Sequence, residues 1–291
     1  MNKKFALFMA QCLILILAGI PAGIASTSSY YLDASRLELQ VSPTTNTASG
    51  VVRVSSNSNK PIRLKVIPKL WELSPQGVLT YQEPPKDKES LLDNIGINPE
   101  EFELLPGKSR LVRFIVKVPH DIENAEYPFQ LYFQPTSLLE PDAKQQATAV
   151  NNVLDVVPIF TTTVYAYKGA PAPQVKVDGL QCGYQPDKRL VSVDLSLSNQ
   201  GAKHARLFGN VIINRKASSG GSGQLVDVLH MQNSTLIIVM PGSLRTVKNL
   251  LELQKVSRLD AGEYQMDVQL VDERNIQPAI PATCNFTVPA G

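Results

Sequence analysis

The sequence predicts an all-β chain folded as two antiparallel β-sandwiches. Apolar residues recur at every second position in many short runs, turn chemistry separates those runs, and a small-residue, proline-rich joint divides the chain. Its 291 residues fit one large or two ordinary domains. Proline is frequent, at 21 residues, which suits strands broken by turns better than long helices. A hydrophobic content of 43% is enough for packed cores and argues against disorder.

The first segment in chain order reads as an address. Lys3 and Lys4 precede the apolar run Leu13-Ile14-Leu15-Ile16-Leu17-Ala18, then Pro21 and the small residues Gly23-Ile24-Ala25 before Ser26. That is the charged, apolar and small-residue pattern of a secretory signal peptide over residues 1–25. The alternative is an uncleaved anchor from Phe5 to Ala25, weakened by Gln11, Pro21 and the shortness of the apolar core. Gln11 is also a poor match to the small residue that a lipoprotein site needs before Cys12. Loss of the leader leaves 26 basic against 26 acidic residues. With no surplus to neutralise phosphates, nucleic-acid binding is not expected. It also leaves two cysteines, Cys182 and Cys284, in an oxidising compartment. One disulfide between them is the simplest outcome; two buried free thiols are the alternative.

The strands follow. Leu37, Leu39 and Val41 alternate with Glu38 and Gln40; Ile62, Leu64 and Val66 with Arg63 and Lys65; Val112, Phe114, Val116 and Val118 with Arg113, Ile115 and Lys117. Further on, Val191, Val193, Leu195 and Leu197 alternate with Ser192, Asp194 and Ser196, and Tyr264, Met266, Val268 and Leu270 repeat the habit. Period-2 alternation marks half-buried strands. Turns are signalled at Asn57 to Pro61, Pro75-Gln76-Gly77, Pro106-Gly107, Asn199-Gln200-Gly201 and Pro241-Gly242. Helix signals are confined to Asp87–Asn94 and Asn249–Val256. Thr136 to Thr148 reads as a polar loop, and Ser218 to Gly223 as a flexible hairpin tip. The joint Gly169-Ala170-Pro171-Ala172-Pro173 has two prolines that cannot donate to a strand ladder. It sets domains at 26–168 and 174–291, with 169–173 as the linker.

No pattern marks an active site, and no cofactor or metal is expected. His120, His204 and His230 lack ligand spacing, and Ser222 has Gln224 where a nucleophile elbow needs glycine. Carboxylate pairs such as Glu100-Glu101 and Asp272-Glu273 read as solvated loop surface. Trp71, Tyr81 and the other aromatics read as core before they read as a sugar-stacking face.

Three stretches, in order, carry a family resemblance. The first is Ser35-Arg36-Leu37, followed by Gly50-Val51-Val52-Arg53-Val54 and Asn57. The second and most specific is Pro99-Glu100-Glu101-Phe102-Glu103-Leu104-Leu105-Pro106-Gly107 with Leu111-Val112-Arg113-Phe114. The third is Asn199, Gly201, His204, Arg206 and Gly209, then Pro241-Gly242, Arg245, Leu259, Gly262 and Tyr264. Together they resemble the periplasmic pilus-assembly (PapD-like) chaperones of Gram-negative bacteria over nearly all of the mature chain.

The resemblance implies two immunoglobulin-like sandwiches in a boomerang arrangement and a binding mechanism instead of a reaction. Such chaperones complete the open sandwich of a pilin-like subunit by lending it a strand, then pass it to an outer-membrane usher. Strand addition supplies backbone hydrogen bonds and alternate side chains for the subunit's groove. The donor strand falls at about 150–160, with Val150, Leu154, Val156 and Val157 the apolar candidates. The family holds the subunit's terminal carboxylate with an arginine and a lysine. Arg36 matches the arginine, and a guanidinium fork suits a carboxylate. The lysine's place falls among Thr161-Thr162-Thr163, so either hydroxyls such as that of Thr163 together with Lys168 replace it or the anchoring differs. Arg36 has a local alternative, pairing with Asp33 or Glu38.

The leading reading is thus a periplasmic subunit chaperone. The alternatives are an exported structural or adhesive protein of immunoglobulin-like domains and an exported carbohydrate-active enzyme. Mass spectrometry of the exported protein should find an N-terminus near Ser26; an intact Met1 in the membrane fraction would overturn the leader assignment.

Overall fold

The computed structural model describes residues 29–82, 90–120, 124–136, 158–217, 223–231, 236–274 and 279–290. The expected leader, the donor candidates Val150, Leu154, Val156 and Val157, and most of the polar loop and of the flexible hairpin tip lie outside these residues.

Ten strands precede the joint: β1 (Tyr30–Leu32), β2 (Arg36–Gln40), β3 (Thr47–Ser56), β4 (Ile62–Leu73), β5 (Leu79–Gln82), β6 (Ile95–Asn98), β7 (Glu101–Leu104), β8 (Ser109–Lys117), β9 (Ala125–Pro135) and β10 (Phe160–Lys168), counted among the described residues. One sheet runs β1-β3-β8-β6; the other runs β2-β10-β9-β4-β5, with β7 also paired to β4. All pairings are antiparallel except β2 with β10, which is parallel. A four-strand layer facing a layer centred on the last two long strands and β4 is the immunoglobulin layout. Between the layers lie Val52, Val54, Leu64, Val112, Val116, Phe129, Leu131, Phe133, Val164 and Ala166. Each large side chain so buried is worth roughly 1.5–3 kcal/mol. A one-residue slip in any of these strands would turn its whole set outward, so the alternation fixes the register.

Eight strands follow the joint among the described residues: β11 (Val175–Gln185), β12 (Leu190–Asn199), β13 (Ala205–Arg215), β14 (Gln224–His230), β15 (Ile237–Val239), β16 (Leu244–Glu252), β17 (Gly262–Asp272) and β18 (Ile280–Val288). Their sheets run β11-β12-β16 and β14-β13-β17-β18, with β15 on β13. The second core holds Val191, Val193, Leu195, Leu197, Val211, Ile213, Tyr264, Met266, Val268 and Leu270. The alternating residues expected to be buried here are buried.

Two expectations need correction. Asn249–Val256 is not helical, because β16 extends through Glu252, pairing Asn249 with Val193 and Leu251 with Val191 of β12. Leu251 faces the core while Leu250 is exposed, so the sheet's side-chain alternation overrides the weak helical pattern. Within Asp87–Asn94, the described part forms a 3-10 turn at Leu91–Asn94. The Ser90 hydroxyl accepts from the Leu92 N–H, and the Asp93 carboxylate accepts from the Ser90 N–H. The second correction is Asp272-Glu273, which is not a solvated loop pair. Asp272 ends β17 and is buried, and the Glu273 side chain is only 16% exposed.

Cys182 and Cys284 form the expected disulfide, with their Cα atoms 6.2 Å apart. It joins β11, at the edge of one sheet, to β18, at the edge of the other, and so closes one side of the second sandwich. The cysteines are 102 residues apart, for which chain-entropy reasoning gives at most about 4.7 kcal/mol of stabilisation. Reduction, or a Cys182→Ser/Cys284→Ser double variant, should therefore lower the melting temperature of the second sandwich. Quantitative alkylation of both thiols in unreduced, denatured protein would refute the bond.

Candidate functional site

Successive strand residues point to opposite sides of a sheet, so the sheet containing β10 has a second, outward face. With Val164 and Ala166 turned inward, Thr163 and Tyr165 turn outward, as do Arg36 and Glu38 of β2, Glu126 and Gln130 of β9, and Trp71 of β4. This face meets residues 203–206, Ile238 and residues 272–274 of the second sandwich. The meeting has two parts, a closed seam of charges and an open cleft beside it.

The seam is built around a buried pair. Glu126 and His204 are both fully shielded from solvent. One Glu126 oxygen accepts from the His204 backbone N–H at 2.9 Å, and the other lies 2.7 Å from the His204 Nδ1. The imidazole stacks on Tyr165 with ring centroids 3.8 Å apart. The Arg274 guanidinium donates to the His204 carbonyl and lies 3.5 Å from its Nε2. A cation on that side favours a lone pair at Nε2 and a proton on Nδ1, shared with Glu126. Burial pulls the His204 pKa below its ordinary value of 6.5, outweighing the upward pull of Glu126. Burial also pushes the Tyr165 phenol up to about 12.

Glu38 completes the seam. Arg274 Nη1 and Lys203 Nζ each lie 3.2 Å from its Oε2. Burial raises the Glu38 carboxyl pKa, but Arg274 and Lys203 more than offset this, leaving it below 4.5. The Lys203 ammonium also sits over the Tyr167 ring at 4.1 Å.

The cleft has a volume of about 620 Å³ and is lined from the first sandwich by Asp33, Ser35, Arg36, Trp71, Gln130, Thr163 and Tyr165, and from the second by Arg206, Ile238 and Glu273. Thr163 pairs with Arg36 across the parallel β2–β10 ladder. Its hydroxyl accepts from Gln130 Nε2, whose own carbonyl accepts from the Tyr81 hydroxyl. The Trp71 indole N–H is buried and has no hydrogen-bond partner among the described residues. Of the local pairings considered from sequence, Arg36 makes the one with Glu38, as a loose ion pair without a hydrogen bond. Its Nη1 donates to Glu273 Oε1 of the second sandwich at 2.5 Å, with Glu38 at 4.0 Å from Nε. The same Glu273 oxygen accepts from Arg206 Nε at 2.6 Å. Asp33 instead accepts from the Arg53 backbone N–H.

A hairpin contact forms a second bridge. The Pro75 carbonyl, in the turn between β4 and β5, accepts from the Thr246 N–H at 2.6 Å and from Arg245 Nη1 at 2.8 Å. Gly77 has a φ of +79°, a left-handed conformation that makes the turn favour glycine.

The structure thus brings Arg36 and Thr163 together and leaves Lys168 apart. Lys168 closes β10, its ammonium donating to the Pro119 and His120 carbonyls. Sequence reasoning missed Glu38, Glu126, Lys203, Arg206, Glu273 and Arg274 as site residues. Arg206 and His204 stood in the third motif stretch, but nothing in the sequence paired them with acids. Among the described residues no three His, Cys, Asp or Glu side chains gather to hold a metal.

No protein-family model matches the chain, and no curated protein does. Solved structures similar to it include the CsuC–CsuE chaperone–tip adhesion subunit complex of Acinetobacter baumannii, at 12% identity and TM-score 0.47, covering 89% of this chain and 99% of that one. The class 5 fimbriae chaperone CfaA is similar at 16% identity and TM-score 0.45, covering 89% and 99%. The Salmonella enterica SafA pilin complex with the SafB chaperone gives 13% identity and TM-score 0.40, covering 91% and 98%.

The neutral, buried His204 makes stability depend on pH. An unfolded imidazole titrates near about 6.5. Between the depressed folded value and 6.5 the unfolded chain binds more protons, so this stabilisation is present above 6.5 and is lost as pH falls below it. Glu38 acts lower, below its unfolded value of 4.5. The melting temperature should therefore fall as pH drops below about 6.5, and His204→Asn, which cannot titrate, should flatten that fall even though it lowers stability throughout. An equal slope in the variant would remove His204 as the cause.

Proposed function

We propose that the protein is an exported, periplasmic chaperone that captures pilin-like subunits by donating a strand and passes them to an outer-membrane usher. In this reading residues 26–168 form the capturing domain and 174–291 the second domain. The donor is the stretch preceding β10, through Val150, Leu154, Val156 and Val157, and the work is binding without a chemical step.

The observation that carries the reading is the register of β2 against β10. It sets Arg36 and Thr163 side by side on the wall of a cleft between the two sandwiches, at the strand into which the proposed donor stretch runs. This is where the motif resemblance calls for a carboxylate anchor, and an arginine beside a hydroxyl supplies paired donors for one. With Lys168 engaged by backbone carbonyls, the anchor rests on Arg36 and Thr163 within the first domain.

Co-purification with a pilin-like subunit encoded beside the gene tests the proposal. Removing one partner of a desolvated charge pair costs about 2–5 kcal/mol of binding, a loss of roughly 30-fold or more. Arg36→Ala should weaken capture to that degree. The Arg36 side chain is 35% exposed, so its bridge to Glu273 contributes at most about 1 kcal/mol to folding. Leu154→Asp should also abolish capture by placing a charge in the donated strand. Undiminished capture by both variants would end the carboxylate anchor and the donor-strand assignment, and the absence of any complex with the wild type would favour the exported structural or adhesive alternative.

A further inference from the structure

Two guanidiniums share one oxygen in the cleft. Arg36 Nη1 and Arg206 Nε, contributed by different sandwiches, lie 2.5 and 2.6 Å from the same Glu273 Oε1. Among the described residues the other oxygen, Oε2, accepts no hydrogen bond, and Arg36 makes no second hydrogen bond. The glutamate is held from behind, its backbone N–H donating to the Arg206 carbonyl at 2.8 Å, so its side chain reaches the two cations from one direction only. An arginine–carboxylate contact is strongest when both oxygens and two N–H groups engage in parallel. The clamp therefore falls short of what the same two guanidiniums can give a carboxylate free of that tether. The cleft that opens beside them leaves room for one to enter.

We propose that Glu273 is a resident stand-in for a captured partner's terminal carboxylate. In the empty protein it holds Arg36 and Arg206 together; on capture the incoming carboxylate takes its place between them, and Arg206 is the second cation of the site. The inference rests on the chaperone reading and adds to it the missing cation and a built-in competitor. Arg36 and Arg206 share a single carboxylate, so an incoming carboxylate that takes the place of Glu273 leaves the charge balance of the clamp unchanged. If Glu273 stayed, two carboxylates would crowd the same pair of cations, and like charges at such distances oppose each other. An internal anion acts at the high effective concentration of any tethered group and must be outcompeted. It keeps the arginines paired in the empty cleft and raises the threshold for carboxylates that arrive without a strand to dock.

Trp71 is the only tryptophan and lines the cleft, so its fluorescence reports occupancy. The probes are an N-acetylated hexapeptide of alternating valine and threonine with a free C-terminal carboxylate, and the same peptide amidated. The wild type should bind the acid more tightly than the amide. Glu273→Gln should tighten the acid at least fivefold and leave the amide unchanged. Glu273→Asp, which keeps the charge but draws it back, should fall between and guards against a folding defect in the glutamine variant. Arg206→Gln should reduce the acid to the affinity of the amide. If acid preference persists but Glu273→Gln leaves it unchanged or weaker, Glu273 is only a tether between the sandwiches; the proposal falls and the chaperone reading stands. If neither wild type nor Glu273→Gln prefers the acid, the carboxylate site is absent, and both this proposal and the anchor it builds on fall.

Discussion

Charges cut off from water must be paired, and that rule governs the seam between the two sandwiches. Taking an unpaired carboxylate or guanidinium out of water costs several kcal/mol even after relaxation. Here Glu126 is satisfied by hydrogen bonds from the neutral His204, while Glu38 is matched by Arg274 and Lys203, Asp272 by Arg274, and Glu273 by Arg206 and Arg36. The partners come from opposite sandwiches in every pair except Asp272–Arg274 and Arg206–Glu273. Sliding one sandwich over the other would strand several charges at once. The contact thus has one low-energy geometry, which an apolar interface of the same area would not enforce.

That geometry follows from strand alternation. The residues that build the first core and those that build the interdomain face are neighbours on the same strands. Val164 and Ala166 enter the core while Thr163 and Tyr165 reach the interface, and Phe129 and Leu131 enter the core while Gln130 faces the cleft. Core packing therefore sets where the interdomain face points. Thr163 is aligned with Arg36 because the ladder carrying Val164 is aligned with the one carrying Leu37.

Much of this was legible in the sequence, and the reasons divide cleanly. Alternation is local, so the strands containing Ile62 to Val66, Val112 to Val118, Val191 to Leu197 and Tyr264 to Leu270 could be read directly. The cysteine pair followed from arithmetic once export was inferred. Arg36 and Thr163 came from position within a motif. The seam did not, because its pairs are long-range: Glu126 and His204 are 78 residues apart, and Arg36 and Glu273 are 237 apart. A glutamate at the outward position of a strand looks the same whether water or another domain covers it. Asp272 and Glu273 read as solvated surface for that reason, and Asn249–Val256 read as helix because its pairing with β12 was invisible.

The cleft stays a cleft because it is braced on two sides. On one side is the seam around His204; on the other, the hairpin tip, where the Pro75 carbonyl takes two hydrogen bonds from the second sandwich. Between these braces the two walls are held apart at a spacing set by groups that do not line the cleft's charged centre. On the proposed reading, a captured carboxylate meets Arg36, Thr163 and Arg206 already ordered and has only to displace Glu273. Preorganisation of this kind strengthens binding by lowering its entropic cost without adding a contact. It also separates the roles of the regions. The seam and the hairpin fix the spacing, the alternating strands aim the side chains, and the arginines with their shared carboxylate give the cleft its charge.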